Sequence, residues 1–331
     1  LVAVLTILVS VGIKESLRVN LALVALKVFI VLFIIVMGIQ YINTSNYTPF
    51  VPPAQHLEST SDTLKRPLWE LMTGMEPQAF GVMGVISGAA LVFFAYIGFD
   101  AVSTAAGEAK NPQRDMPKGI LGSLAICTVI YIAVCAVLTG MTHYSLLGTA
   151  KPVATALEHY PQLTWLKSVV EIGAIAGLSS VVLVMIIGQP RIFMIMARDG
   201  LLPNALSKVH HKYKTPHVVT IITGVLVTIA AAFFPVGKLA DIANSGTLFA
   251  FFMVAIGVMI LRKKDPHRRR PFRTPALWLI APLTVAGCLY LFFNLPLDAK
   301  LVLPIWGIIG LVIYYAYGYR ASHLGRGLVE V

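Results

Sequence analysis

The stretch FFAYIGFDAVSTAAGEAKNPQRDMPK, residues 93–118, decides how this chain folds. An apolar run leads into it, but Gly98 weakens a helix interior by about 1 kcal/mol relative to alanine. Asp100 follows. An aspartate at the centre of a membrane helix costs roughly 2.5–3.5 kcal/mol, yet aspartate is among the best N-cap residues. We therefore predict that a helix stops near Ala95, crosses a short unwound stretch and restarts at Asp100. The alternative is a plain spanning helix with one kink at Gly98 and a solvated terminal aspartate.

The composition is that of a membrane protein. The 331 residues are 57% hydrophobic and 12% charged, with a mean hydropathy of +0.80, whereas soluble domains are roughly 25% charged. We interpret residues 1–13 as the tail of a span and residues 14–18 as a charged loop. We predict an all-α polytopic transmembrane fold with one domain over residues 1–331. Eight complete apolar spans are expected, at about residues 20–42, 84–106, 119–141, 168–190, 217–234, 241–261, 276–295 and 301–318.

The charge and the cysteines exclude several function classes. The net charge is +11, but the basic residues lie in loops between spans, so the charge does not indicate nucleic-acid binding. Cys127, Cys135 and Cys288 lie inside apolar segments without metal-ligand spacing, and buried inert thiols are the expected result. We expect no nucleic-acid partner, no metal and no cofactor.

Lysines and arginines divide unequally between the two sides of the predicted membrane. One set of loops carries 19 of them and the other set carries 6, and cytoplasmic loops are the ones rich in Lys and Arg. We predict a multi-pass protein of the plasma or inner membrane, with loop 107–117 and the C-terminus in the cytoplasm and loop 43–83 outside. The basic loop Arg262–Arg273 could also hold anionic membrane lipid, but topology alone explains its charge.

A helix break inside a bilayer restricts the class of protein further. Backbone groups in lipid need partners, so a break is tolerated only inside protein or against a cavity. Broken helices near the middle of the membrane form the substrate sites of secondary transporters. The stretch around Gly98 therefore favours a transporter.

Residues 93–120 resemble the sixth helix and following loop of amino-acid permeases in the APC superfamily. They are most similar to the cationic-amino-acid-transporter branch and its bacterial relatives. The resemblance implies a fold of twelve helices, two inverted five-helix repeats plus two more, in which this chain starts late in the fourth helix. Further matching stretches follow in the same order: GIKES at 12–16, RVN at 18–20, VMIIGQPRIF at 184–193, ARDGLLP at 197–203 and NSGTLFAF at 244–251.

The same resemblance implies an amino-acid substrate. Its ammonium group would meet backbone carbonyls at the break, and its carboxylate would meet N–H groups of a broken first helix, which this chain does not supply. A C-terminal half-helix end carries partial negative charge, so the polarity at the break fits an ammonium group. Phe94 and Phe99 could gate the substrate or simply pack. The implied substrate-binding residues are Phe94, Ala95, Tyr96, Ile97 and Gly98.

Lys27 is the one lysine inside a predicted span. It lies seven residues into its span, about 10 Å along the helix axis, so its long stem could carry the ammonium to the interface. The resemblance implies another role, because proton-coupled members place a fifth-helix lysine where sodium-coupled relatives hold a sodium ion. Lys27 would then bind and release a proton during transport, with Ser179 and Ser180 supplying hydroxyls. A serine pair in a membrane helix is otherwise ordinary helix packing.

Two readings of Asp100 stay open. Its carboxylate could cap the restarted half-helix by accepting N–H bonds near Val102 or Ser103, or it could join a proton pathway. Glu108 and Arg114 in the following loop are expected to be solvated charges, with an inner gate as the alternative.

Four functions compete at this stage. The first is a proton-coupled amino-acid permease that works by alternating access, with amino acid, protons and membrane lipid as partners. The second is an exchanger of amino acids or polyamines. A membrane enzyme is disfavoured because His210, His211 and His217 have no acidic residue at ligand spacing. A nutrient sensor on a permease scaffold is disfavoured because the tail after the last span is short.

Overall fold

The computed structural model of this chain describes residues 1–11, 13–56, 70, 72, 74, 78–98, 101–104, 109–211, 215–323 and 326–327. Helices dominate these residues, as predicted. Two short strands, β1 (Gln55–His56) and β2 (Gln78–Ala79), pair antiparallel with Gln55 opposite Ala79. The helices are α1 (Val2–Val11), α2 (Ile13–Gly38), α3 (Gly81–Val92), α4 (Ala101–Thr104), α5 (Pro112–Met141), α6 (Pro152–Glu158), α7 (Thr164–Arg198), α8 (His217–Phe233), α9 (Val236–Lys264), α10 (Leu277–Asn294), α11 (Leu297–Ile313) and α12 (Tyr319–Ala321).

The predicted spans correspond to these helices, and their bounds need two corrections. Six helices of the described residues are long and apolar enough to cross a membrane, and α8 is a shorter apolar helix of 17 residues, about 26 Å long. The predicted loop at residues 14–18 is wrong, because α2 begins at Ile13. Lys, Glu, Leu and Arg are all good helix formers, so the helix continues past the apolar run. The second predicted span, 84–106, is interrupted.

The second correction concerns the C-terminal end of helix α7, which lies at the centre of the packing. The predicted span ended at residue 190, but α7 continues through Pro190 to Arg198. Its buried residues recur every three or four positions, which is the spacing of one helix face. Leu183, Ile186 and Ile187 on α7 form a core cluster with Leu5 and Val9 of α1. A second cluster joins α7 to α2, α5 and α6 through buried residues Ile30, Ile34, Val137, Met141, Leu157, Leu163 and Leu166.

Helices α2 and α7 run antiparallel and approach closely at Gly173. A Cβ atom on Gly173 would lie 2.9 Å from Cδ1 of Ile30, which is too short for a carbon–carbon contact. One turn away, a Cβ atom on Gly177 would lie 3.8 Å from Cδ of Lys27. Two glycines on α7 therefore let the α2 backbone approach, as small residues do between membrane helices.

Contacts between loops agree with the predicted grouping of loops into two faces. On one face, the Tyr160 hydroxyl lies within hydrogen-bonding distance of the carbonyls of Met141 (2.8 Å) and Tyr41 (3.2 Å). On the other face, the His323 N–H donates to the Asp199 carbonyl at 3.0 Å. Which face is cytoplasmic remains a prediction from the distribution of charge.

Candidate functional site

The structure confirms that the helix around residue 98 is broken. Helix α3 ends at Val92, a 3-10 turn covers Phe93–Tyr96, and α4 begins at Ala101. Gly98 has φ +122°, a conformation that glycine adopts readily and side-chain-bearing residues rarely do. Its carbonyl accepts a hydrogen bond from the Ala101 N–H at 3.1 Å. Regular helix thus stops three residues before the predicted Ala95.

Asp100 and Phe99 lie outside the described residues, and so does the side chain of Phe94. The structure therefore leaves both readings of Asp100, the helix cap and the proton pathway, as predictions. The backbone of the 3-10 turn is described through Tyr96, and Ile97 and Gly98 follow it as a turn. All five implied substrate-binding residues lie on this irregular segment.

A tyrosine hydroxyl forms a hydrogen bond with one of the backbone carbonyls at the break. Tyr131 on α5 donates from its hydroxyl to the Ala95 carbonyl at 3.0 Å, and its ring meets the Tyr96 ring edge-on at 5.3 Å between centroids. A carbonyl oxygen has two lone pairs, so the Ala95 oxygen keeps one acceptor position. The sequence reasoning missed Tyr131, although a tyrosine inside an apolar helix signals a hydroxyl that needs a partner.

Aromatic packing fixes the first residue of the break. The Phe93 ring meets the Phe251 ring of α9 edge-on at 6.1 Å between centroids. Both rings pack against a small core cluster of Leu248, Cys288 and Leu295. The break is thus anchored at Phe93 by apolar contacts and at Ala95 by a hydrogen bond.

A cavity of about 690 Å³ borders the break between α4, α7, α8 and α9. Ile97 and Ala101 form its wall on the side of the break, and most of the remaining lining is aliphatic. Its polar lining comes from Ser103, Gln189, Thr223 and Thr247. None of the described lining residues is acidic.

Lys27 and Ser180 meet between α2 and α7. The Lys27 ammonium donates to the Ser180 hydroxyl oxygen at 3.0 Å, and the Ser180 hydroxyl donates to the Gly177 carbonyl at 2.8 Å. The Ser180 side chain is buried, with 1% of the residue exposed. An ammonium has three donors, and this geometry uses one of them.

Ser179 does not join Lys27. Its hydroxyl donates to the Ile175 carbonyl of its own helix at 2.7 Å, a bond that serines commonly make in helices. The structure therefore brings together Lys27 and one of its two predicted serine partners. Helix α7 links this pair to the break, because a Cβ atom on Gly98 would lie 3.7 Å from Cε of Met185.

No metal site is found in the described part of the chain. Within that part, no three or more His, Cys, Asp or Glu side chains are grouped so that they could hold a metal ion. The cysteines are free thiols. Cys288 on α10 is buried as expected, but Cys127 and Cys135 on α5 are exposed, so the expectation of buried thiols is wrong for these two.

Comparison with known proteins matches residues 1–317 to the model of a family described as "Amino acid permease". The chain is 40% identical to the branched-chain amino acid permease BcaP of Bacillus subtilis, over 98% of this chain and 64% of that protein. It is 39% identical to the methylthioribose transporter of the same organism, over 98% of this chain and 65% of that protein. It is 38% identical to the vacuolar cationic amino acid transporter 2 of Arabidopsis thaliana, over 81% of this chain and 39% of that protein. The chain thus spans somewhat less than two thirds of the length of its Bacillus relatives.

Proposed function

Because the chain belongs to the amino acid permease family, we propose that it acts in secondary active transport of amino acids by alternating access. The family is one of permeases rather than enzymes. The observation that carries the proposal is the broken helix beside a cavity, since irregular backbone at membrane depth requires such surroundings. An interrupted helix also exposes the backbone dipoles that bind small polar substrates.

We assign the substrate's ammonium group to the carbonyls of Phe94, Ala95 and Ile97, in the segment that Tyr96 and Gly98 complete. The end of α3 carries partial negative charge, which attracts a cation. The Tyr131 hydroxyl supports this role because it fixes the Ala95 carbonyl and leaves one lone pair for the substrate. An ammonium donor would use that lone pair and would also be attracted by the partial negative charge, which a neutral hydroxyl donor would not match.

The proposed substrate is a neutral, apolar amino acid. The relatives' names give three substrates, a branched-chain amino acid, methylthioribose and cationic amino acids. Methylthioribose is a sugar whose hydroxyls can donate to carbonyls but carry no positive charge, so it suits the negative end of α3 less well than an ammonium group does. The cavity wall beside Ile97 is largely aliphatic and its described residues include no carboxylate, so it suits an apolar side chain better than a cationic one.

Lys27 is the proposed coupling residue. Its ammonium joins α2 to α7 through Ser180, and loss of its proton would remove the charge that favours this contact. Proton binding at Lys27 would thereby bias one arrangement of the two helices over another, which is how a ligand shifts a conformational equilibrium. Ser179 lines the same turn of α7, and Asp100 remains a candidate for the helix cap or the proton pathway.

Uptake measurements test the proposal. The full-length protein is expressed and reconstituted into proteoliposomes. Labelled leucine, arginine and methylthioribose are offered with and without an inward proton gradient. Saturable leucine uptake that the gradient stimulates is the expected result. Uptake that needs preloaded amino acid and ignores the gradient would identify the exchanger instead. Uptake of methylthioribose alone would contradict the assignment of these carbonyls to an ammonium group.

A further inference from the structure

A second, smaller cavity of about 370 Å³ lies where the start of α5 meets the loop that follows α9. Helix α5 contributes Gln113, Arg114, Lys118 and Leu121, and the loop contributes Phe272. We call this cavity the α5 basic pocket. It is separate from the break and from the Lys27–Ser180 pair, and neither transport nor coupling gives it a role.

Two neighbouring cations on α5 line the α5 basic pocket. Arg114 and Lys118 are four residues apart, so they project from the same face of α5. Both are exposed, and neither has an ion-pair partner within the described ranges of the chain. Asp115 stands between them in sequence but does not line the cavity. A pair of like charges held together attracts an anion.

In the loop on the other side of the pocket, Asp265 and Arg270 are bound within the loop and to the end of α9. The Asp265 carboxylate accepts from the Arg268 N–H at 3.2 Å. The Arg270 guanidinium donates to the carbonyls of Leu261 (3.1 Å) and Asp265 (2.6 Å). These bonds fold the loop back on the end of α9, so its carboxylate is not free to neutralise Arg114 or Lys118.

Apolar side chains complete the pocket towards the membrane. Leu121 is 54% exposed and Phe272 is 48% exposed, and both line the cavity beside the two cations. Lys118 stands immediately before the apolar run that begins at residue 119, so the cations lie at the depth of lipid headgroups and Leu121 lies one turn deeper. Positive charge at the interface with apolar surface beneath it matches the order of groups in a phospholipid.

We propose that the α5 basic pocket binds an anionic phospholipid. The phosphate lies between the Arg114 guanidinium and the Lys118 ammonium, and the Gln113 amide donates to a headgroup oxygen. An acyl chain runs along Leu121 and Phe272. Basic pockets between membrane helices are known to take anionic headgroups, whereas positive charge that served topology alone would need neither a cavity nor an exposed aromatic ring.

Native mass spectrometry of the purified protein in detergent tests this proposal. The protein is titrated with phosphatidylglycerol or with phosphatidylcholine of the same acyl chains. The wild type is expected to bind phosphatidylglycerol more tightly. Each cation near an anionic headgroup contributes about fivefold in affinity, so Arg114→Gln with Lys118→Gln should lose roughly 25-fold.

The matched control is Arg198→Gln with Lys208→Gln. It removes the same two residue types from exposed positions on the same predicted side of the protein, at the end of α7 and in the loop that follows it. It should leave phosphatidylglycerol binding unchanged. Equal losses of phosphatidylglycerol affinity in both double variants would show a diffuse attraction of the lipid to positive charge. That result would overturn the proposal of a specific site in the α5 basic pocket. The detergent sample makes the result independent of which face is cytoplasmic.

A third arm separates a lipid site from a phosphate site. Phe272→Ser should weaken binding of phosphatidylglycerol and leave binding of inorganic phosphate unchanged. Displacement of the lipid by inorganic phosphate, with no effect of Phe272→Ser, would identify a free-phosphate site and overturn the lipid proposal. If the double variant does not fold, Arg114→Gln and Lys118→Gln are measured singly, and each is expected to lose about fivefold.

Discussion

Gly98 lies in a break, whereas Pro190 lies within the continuous helix α7. Proline in a helix interior costs about 3 kcal/mol and glycine about 1 kcal/mol, so residue type alone would place the break at Pro190. The two surroundings differ. Pro190 is fully buried in the packed face of α7, while the segment ending at Gly98 borders a cavity and receives the Tyr131 hydroxyl at Ala95.

The difference shows that a helix-breaking residue permits a break and tertiary contacts decide whether one forms. Helix α7 must stay regular, because it holds Ser180 against Lys27 and also touches the break through Met185. The segment from Phe93 to Gly98 can leave the helix because Phe251 and Tyr131 hold it at two points. The five predictions below test the irregular segment and the regular helix separately.

Gly98→Leu is expected to have the largest effect. A leucine at φ +122° is strained by about 1–3 kcal/mol, and leucine favours continuous helix over glycine by about 0.8 kcal/mol. Leucine uptake should fall by up to roughly 100-fold if the strain is relieved by closing the break. The control is Gly88→Leu, in the regular helix α3, where an added Cβ meets nothing within 4 Å. Normal uptake by Gly98→Leu would show that the unwound segment does not bind substrate.

Lys27→Met tests whether the contact of Lys27 with the regular helix α7 couples transport to the proton gradient. Methionine keeps the length and apolarity of the side chain and removes the titrating charge, so the fold should survive. Leucine accumulation with an inward gradient should equal accumulation without one. A gradient of one pH unit supplies about 1.4 kcal/mol, so the expected loss is about tenfold. Gradient-driven accumulation by Lys27→Met would show that the lysine only extends towards the interface.

The neighbouring serines provide a matched pair for this test. Ser180→Ala removes the oxygen that accepts from Lys27, whereas Ser179→Ala removes a hydroxyl that bonds only its own helix. Uptake by both variants is measured with and without the gradient. Coupling should weaken in Ser180→Ala and remain in Ser179→Ala, and the same result for both variants would contradict the proposed geometry.

Tyr131→Phe tests the support of the break and should have a moderate effect. Loss of one hydrogen bond costs about 0.5–1.5 kcal/mol, which corresponds to a KM for leucine roughly 2–10-fold higher. Tyr47→Phe is the control, because it removes a similar bond from a tyrosine hydroxyl to the Ala136 carbonyl of α5 at 2.7 Å, away from the break. Equal changes in KM for both variants would indicate a general effect on α5.

Glu158→Gln tests the ion pair that joins the end of α6 to Lys167 near the start of α7, and it should have the smallest effect. The hydrogen bond from the Lys167 ammonium lowers the pKa of the exposed Glu158 carboxyl below its usual value. A lowered pKa in the folded state stabilises the protein above the unfolded pKa, and this stabilisation is lost as the pH falls through the folded pKa. Melting temperatures of wild type and variant should differ slightly at neutral pH and converge in acid. A difference that grows as the pH falls would contradict this assignment.

The sequence by itself determined the all-α membrane fold class and the place of the break. Apolar runs of membrane length leave little choice but helices, and Gly98 followed by Asp100 is costly inside a continuous span. It also placed Lys27 and the serines of α7 as possible partners through the family resemblance. Each of these predictions depends on the residues of one continuous stretch of sequence, through their helix propensity, their hydrophobicity or their match to the family.

Only the tertiary structure decided which polar groups meet. The bounds of α7 depended on burial of Pro190 rather than on its helix propensity, and the choice of Ser180 over Ser179 depended on which side of α7 faces α2. Tyr131 and the α5 basic pocket bring together residues from elements far apart in the chain. Hydrogen bonds and charges act over a few ångströms, so their partners are fixed by packing between helices and not by order along the sequence.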